Sequence, residues 1–149
     1  MGLGVGNALF TGAIEAIYKD RQGHIEDRIL MRPFPQFIPD ESERNKIWEQ
    51  YRQDIISSSG IALFLFGNKK QGDCIVVSDG MIREFEIARD HGLTCIPVGA
   101  TGHAAAEIYG RLTGEDYGGD QSLIELSNSR ENLNELIAPI LQIASATRK

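Results

Sequence analysis

Two short runs rich in apolar residues constrain the fold of this chain more than any other feature. They span residues 61–66 and 93–98. Such runs are typical of strands that are covered on both faces of a parallel sheet. Because stretches with helical periodicity alternate with the strands, the sequence predicts an α/β fold, a Rossmann-like parallel sheet with helices on both faces.

The remaining elements follow from periodicity and capping residues. Residues 8–18 carry a helical stripe of apolar side chains, and residues 29–31 are predicted to form a short buried strand. Asp40 or Ser42 is suited to cap a helix that runs to about residue 57. The other predicted segments are a loop over 67–73, a helix over 80–89 capped by Asp79, and helical stretches over 122–126 and 129–146.

Composition narrows the class of protein. The chain has 149 residues, so we expect residues 1–149 to form one domain with a single core. The formal net charge of -6 and the scattered Lys and Arg residues argue against a nucleic-acid partner. Cys74 and Cys95 share no metal-binding spacing and the histidines are isolated, so we expect no metal, no cofactor and a cytoplasmic location. No apolar run approaches the roughly 20 residues that span a bilayer, so we expect no membrane partner.

A glycine-rich segment at the start of the chain is the first candidate site. Its sequence is Gly2-Leu3-Gly4-Val5-Gly6, and the helical stripe follows it. Alternate glycines leave backbone N–H groups uncovered, and the dipole of the following helix favours an anion such as a phosphate. The segment is equally compatible with a structural loop, because its spacing completes neither a P-loop nor a dinucleotide fingerprint.

The ends of the predicted strands bring further residues to the same edge of the sheet. Ligands of such sheets bind beyond the carboxyl ends of the strands. The sequence therefore predicts a nucleotide site made by the glycine segment and by five residues that follow strands: Arg32, Asn68, Lys69, Gly99 and Thr101. Arg32 is equally suited to brace the proline-rich turn behind it. A purely structural oligomerisation domain would leave this convergence unexplained.

Four stretches of the chain are shared with one known family. Besides the glycine segment, they are LMRPFPQ (residues 30–36), FGNK (66–69), and REFEIA (83–88) followed by IPVGATG (96–102). Together they resemble the SLOG-type (STALD) sensor domain of Thoeris antiphage effectors, which occurs with sirtuin-like and TIR domains. The resemblance covers most of the chain. It implies a homo-oligomeric domain that binds a cyclic ADP-ribose isomer made by a TIR enzyme and switches on an attached NAD-depleting effector domain.

The resemblance also implies three ligand contacts. Arg52 and Lys69 would neutralise the two phosphates of a cyclic ADP-ribose, and Glu84 would accept hydrogen bonds from ribose hydroxyls. The sequence alone is equally compatible with an exposed ion pair between Arg52 and Glu49, a solvated loop lysine, and a first-turn carboxylate that favours the helix dipole. We expect the two cations to matter for binding and to contribute little to folding.

The chain departs from that family at its beginning. Members normally start with a strand, a helix and a second strand that leads into the glycine loop, whereas this sequence opens on the glycine segment. We therefore expect a sheet that lacks its first strands, in a chain that is a fragment of a longer effector or one part of a larger assembly.

An enzyme of the same superfamily is the alternative function. Cytokinin-activating phosphoribohydrolases use a P-G-G-x-G-T-x-x-E stretch, and the matching segment here spans residues 78–86. Glu86 fits this pattern, but the proline, two glycines and the threonine are missing, and Ile82 stands where backbone should approach phosphate closely. The sequence favours a sensor without catalytic residues, with a nucleoside-monophosphate phosphoribohydrolase as the alternative.

Overall fold

The structure is a computed structural model that describes residues 3–20, 24, 28–35, 37–114, 120–128 and 132–147. The chain divides into two compact units, Met1–Glu41 and Ser42–Lys149. None of the helices among the described residues is long and apolar enough to cross a bilayer.

The first unit contains one long helix, α1, over Leu3–Asp20. The predicted glycine loop is wrong, because the helix already includes four of its residues: Leu3, Gly4, Val5 and Gly6. The fifth residue, Gly2, lies outside the described part of the chain. A glycine inside a helix costs only about 1 kcal/mol relative to alanine, so a helix that has nucleated on the apolar stripe extends back through this segment.

The predicted strand over residues 29–31 is also wrong. This segment is irregular, and the side chains of Leu30 and Met31 are exposed. A strand requires a neighbour that completes its hydrogen-bond ladder, and none of the ladders among the described residues includes this segment. The irregular backbone continues through Pro33 and Pro35, as the two prolines predict.

The second unit is built on a parallel pair of strands. In chain order the elements are α2 (Glu41–Ser57), β1 (Ile61–Phe64), β2 (Asn68–Gln71), β3 (Cys74–Val77), α3 (Asp79–Asp90), β4 (Thr94–Pro97), α4 (His103–Thr113), α5 (Gln121–Glu125) and α6 (Ile137–Ala146). Strands β1 and β4 pair in parallel, with Ile61 opposite Thr94 and Phe64 opposite Pro97. This pairing confirms the predicted parallel sheet, although the described part of the chain contributes only these two strands to it.

Helices cover both faces of this small sheet. In β4, Cys95 belongs to a buried cluster with Phe85 of α3 and Ile108 of α4, whereas its neighbour Ile96 belongs to a second cluster with Ile143 of α6. Successive residues of a strand point to opposite faces. Helices α3 and α4 therefore cover one face and α6 covers the other, which confirms the predicted α/β class.

The segment after β1 forms a hairpin instead of the predicted loop. Strand β2 pairs antiparallel with β3 across a turn at Gly72 and Asp73. The residues of β2 are all exposed, and their sequence, NKKQ, is polar throughout. Because sequence-based strand prediction depends on apolar alternation, β2 carries no signal of its own.

Two predicted helices need smaller corrections. Helix α3 begins at Asp79, and its N-cap is Ser78, whose Oγ accepts a hydrogen bond from the Met81 N–H. The sequence predicted Asp79 as the N-cap, and an aspartate is suited both to the N-cap and to the first turn of a helix. Residues 129–131 of the helical stretch predicted over 129–146 lie outside the described part of the chain, and the described part contains a short 3-10 turn, Leu133–Leu136, followed by α6.

Candidate functional site

Two residues in the left-handed region shape the carboxyl end of β1. Phe66 has a φ of 58° and Gly67 a φ of 82°. The Gly67 carbonyl accepts hydrogen bonds from Ser78 N at 2.8 Å and Ala104 N at 3.4 Å, and the Phe66 carbonyl accepts one from Ala105 N at 3.0 Å. These bonds join the end of β1 to the starts of α3 and α4. They also occupy N–H groups of α4 that a bound anion would otherwise use.

Thr101 and Gly99 belong to the same framework. The Thr101 Oγ1 accepts a hydrogen bond from Phe66 N at 2.8 Å and donates one to the Val98 carbonyl at 2.7 Å, so it joins the ends of β1 and β4. Gly99 lies against Tyr109, whose Cβ would be 3.2 Å from a Cβ at position 99. The structure thus gives both residues a structural role, and their predicted ligand contacts stay a prediction.

Arg52 reaches from α2 to the first turns of α3. Its side chain is only 13% exposed, and its Nε donates a hydrogen bond to Glu84 Oε1 at 3.4 Å. Its Nη2 lies beside Gly80, at 2.9 Å from where a Cβ of residue 80 would be. The guanidinium therefore lies against the backbone of the first turn of α3, where it is largely withdrawn from solvent.

Glu84 lies one turn further along α3 and is 32% exposed. Burial raises the pKa of its carboxyl above the ordinary value of 4.5, and the charge and hydrogen bond of Arg52 oppose that rise. Because desolvation is the larger of these effects, the Glu84 carboxylate is less stable than an exposed one. Such a group gains from further hydrogen-bond donors such as ribose hydroxyls.

The raised pKa of Glu84 predicts a pH dependence of stability with a definite sign. Because the folded pKa lies above the unfolded one, the stability from this group is fully present below the unfolded pKa and is lost as the pH rises through the folded pKa. Glu84→Gln removes the titration. We expect the melting temperature of the wild-type chain to fall relative to that of Glu84→Gln as the pH rises from about 4.5 through the raised pKa of the Glu84 carboxyl.

Calorimetric melting of both proteins across that range tests this prediction. Glu15→Gln, at an exposed position of α1, is the matched control and should follow the wild-type profile. Parallel profiles for wild type and Glu84→Gln would contradict the argument.

Lys69 approaches the same turn of α3 from the exposed hairpin. Its Nζ donates a hydrogen bond to Asp79 Oδ1 at 2.6 Å, and the same oxygen accepts the Gly80 N–H at 3.0 Å. The hydrogen bond from Lys69 lowers the pKa of Asp79. Arg52 and Lys69 thus both reach residues 79–80, and α3 brings together three of the predicted contacts. Asn68 lies beside Lys69 on β2 and is exposed.

Among the described residues, the remaining predicted contacts lie in the first compact unit. Leu3, Gly4, Val5, Gly6 and Arg32 belong to the first unit, where Arg32 is exposed in the irregular segment. Their predicted ligand contacts stay predictions. Two residues of the turn, Asp79 and Gly80, were absent from the predicted set of contacts. A weak signal for them exists in the sequence, since an Asp-Gly pair after Ser78 marks the start of a helix close to strand ends.

Glu86, the residue that fits the phosphoribohydrolase stretch, is engaged elsewhere. Arg83 donates a hydrogen bond to its Oε2 at 3.1 Å, and Arg111 of α4 lies 3.5 Å from its Oε1. It is six residues beyond Gly80, which places it about 9 Å further along the helix. Its carboxylate is therefore held in ion pairs with Arg83 and Arg111, away from the first turn of α3.

The same carboxylate borders an open groove of about 410 Å³ on the surface of the second unit. The groove is lined by Phe85, Glu86, Arg89, Asp90 and Arg111. Arg83 further links Glu86 to Glu49 of α2, with an Nη2–Oε1 distance of 2.6 Å. Glu49, Arg83, Glu86 and Arg111 thus form an ion-pair network between α2, α3 and α4.

Comparison with known protein families identifies the chain. The family model described as the Sir2- and TIR-associating SLOG family, STALD, matches residues 1–147. The chain belongs to this family. The match confirms the resemblance drawn from the glycine segment and from the motifs after the strands, and its span includes both compact units.

Curated relatives of this STALD chain are named NAD(+) hydrolase ThsA. The protein from Acinetobacter baumannii is 40% identical over 97% of this chain, which corresponds to 32% of the relative. The protein from Cytobacillus dafuensis is 36% identical over 99% of the chain and 31% of the relative. The one from Bacillus cereus is 33% identical over 95% of the chain and 30% of the relative. The STALD chain thus spans about a third of the length of these relatives.

Proposed function

We propose that this STALD chain is a regulatory binding domain for a cyclic ADP-ribose isomer and is not itself an enzyme. The observation that carries the proposal is the convergence of Arg52, Lys69 and Glu84 on the first turns of α3. Two cations suit the two phosphates of such a ligand, and a carboxylate suits its ribose hydroxyls.

The name that the relatives share supports a link between this chain and NAD hydrolysis. They are NAD(+) hydrolases, and the matched region is about a third of each of them. We propose that ligand binding by this chain controls NAD hydrolysis by an attached sirtuin-like or TIR effector domain in antiphage defence. A TIR enzyme in the same cytoplasm would supply the ligand, and a homo-oligomer would carry the response.

A binding domain also explains the segment over residues 78–86 better than an enzyme does. Glycosidic bond cleavage needs a positioned acid or base beside a held leaving group. Here Glu86 is paired with Arg83 and Arg111, while Glu84 is paired with Arg52. We therefore expect the chain to leave its ligand intact.

A melting experiment with a panel of nucleotides tests the proposal. The panel contains cyclic ADP-ribose isomers, linear ADP-ribose and NAD at equal concentrations, and chromatography after long incubation shows whether any is cleaved. A ligand at a hundred times its Kd adds about 2.7 kcal/mol to the free energy of unfolding. For a chain of this size we expect a rise of roughly 5–10 °C in Tm with a cyclic isomer, and no released base.

The control for this experiment is Arg52→Ala, in which the rise in Tm should be much smaller at the same ligand concentration. Two results would contradict the proposal. One is a larger shift with NAD than with every cyclic isomer, which would favour direct NAD sensing. The other is turnover that Glu86→Gln abolishes, which would favour the phosphoribohydrolase.

A further inference from the structure

Gly80 is a glycine at the point of the second unit where Arg52 approaches α3, so the absence of a side chain there affects the candidate site directly. It lies in the first turn of α3, with Arg52 across from it on α2. A Cβ at this position would lie 2.9 Å from Arg52 Nη2, which is closer than non-bonded carbon and nitrogen atoms normally approach. The next nearest atom outside the guanidinium, Ser78 Oγ, would be at an ordinary distance of 3.7 Å. The space left by the glycine is therefore filled by the guanidinium.

We infer that Gly80 is a positioning residue for ligand binding, because it leaves the space in which the Arg52 guanidinium lies. This inference rests on the proposed function in one respect, the contact between Arg52 and a phosphate of the ligand. A side chain at position 80 moves the flexible end of Arg52 and leaves the helix intact. The expected consequence is a loss of affinity without a loss of fold.

The surroundings of Arg52 explain why a small displacement matters. Its side chain is 13% exposed and its Nε already donates to Glu84 Oε1, so the guanidinium is confined from two directions. Displaced from Gly80, it has to give up either that hydrogen bond or its place at the start of α3. Charge-assisted hydrogen bonds depend steeply on distance and angle. A displaced arginine therefore binds phosphate less well even though its charge is unchanged.

Gly80→Ala is the test, and Gly110→Ala is its matched control. Gly110 also lies in a helix, α4, but a Cβ there would meet no atom within 4 Å. We expect Gly80→Ala to weaken binding of the cyclic ADP-ribose isomer that wild type binds best by roughly tenfold, with a Tm within a few degrees of wild type. Gly110→Ala should bind as wild type does. In the Arg52→Ala background, Gly80→Ala should cause no further loss.

A measurement without ligand separates the two parts of the inference. The Arg52 Nε–H signal in a ¹⁵N–¹H spectrum, assigned by its disappearance in Arg52→Lys, should shift in Gly80→Ala and stay in place in Gly110→Ala. An unshifted signal would overturn the positioning role whatever the ligand does. A shifted signal with unchanged affinity would overturn the link to binding. If wild type binds no member of the panel, the proposed function fails, and the spectrum still decides whether Gly80 positions Arg52.

Discussion

Replacing Gly67 by alanine is expected to lower the free energy of unfolding by about 2–4 kcal/mol. The residue has a φ of 82°, which costs an L-residue about 1–2 kcal/mol. Its new Cβ would also overlap Met81 Sδ and lie 2.6 Å from Ala104 Cβ. Methionine is flexible and can move, but Ala104 is fully buried and has no rotamer with which to yield. The Gly67 carbonyl is tied to Ser78 and Ala104, so the backbone is held as well.

Gly72→Ala is the control for this prediction. Gly72 has a φ of 60° in the turn of the hairpin, but a Cβ there would meet no atom within 4 Å. This variant should show the backbone cost alone, about 1–2 kcal/mol. Urea unfolding of the two variants and wild type measures the difference. Equal losses for both variants would mean that the close approach of Gly67 to Ala104 does not matter.

Replacing Arg52 by alanine is expected to weaken binding of a cyclic ADP-ribose isomer by about tenfold to a hundredfold. A charge-assisted hydrogen bond to phosphate contributes roughly 1.5–3 kcal/mol, and each 1.4 kcal/mol is about a factor of ten. Burial of Arg52 revises the expectation that stability hardly changes, because the variant leaves the partly buried Glu84 carboxylate without this partner. We expect Arg52→Ala also to lower the free energy of unfolding by about 1 kcal/mol.

A second substitution separates the two effects of Arg52→Ala. Adding Glu84→Gln removes the carboxylate that has lost its partner, so the double variant should regain stability while its binding stays weak. Lys69→Ala should weaken binding with a smaller effect on folding, because Lys69 is 42% exposed. Restored binding in the double variant would contradict a direct contact between Arg52 and phosphate.

The sequence correctly predicts the two strands that are rich in apolar residues, because such a composition indicates a buried strand. β1 and β4 lie within the two apolar runs, and their parallel pairing is consistent with the helix α3 that lies between them in the chain. β2 is polar and exists only as the partner of β3, so its formation depends on a pairing that periodicity does not encode. For the glycine segment the sequence predicted a loop where the structure has a helix, since glycines permit a loop but do not require one.

The candidate site could be predicted in part for a similar reason. Arg52 and Glu84 came from the family resemblance, and Lys69 came both from it and from its position after a strand. Their convergence depends on how α2, β2 and α3 pack. The close approach of Arg52 to Gly80 joins residues from two helices, and local sequence patterns carry no distance between helices. Thr101 was predicted from its position after β4, but position alone does not distinguish a ligand contact from a hydroxyl that joins two strand ends.

The most direct test of the account is a calorimetric titration of the whole chain with each cyclic ADP-ribose isomer and with NAD, under identical conditions. We predict that at least one cyclic isomer binds more tightly than NAD, and that Arg52→Ala removes most of that affinity. Binding of NAD as tight as or tighter than that of every cyclic isomer would contradict the proposal that this STALD domain senses a cyclic ADP-ribose signal.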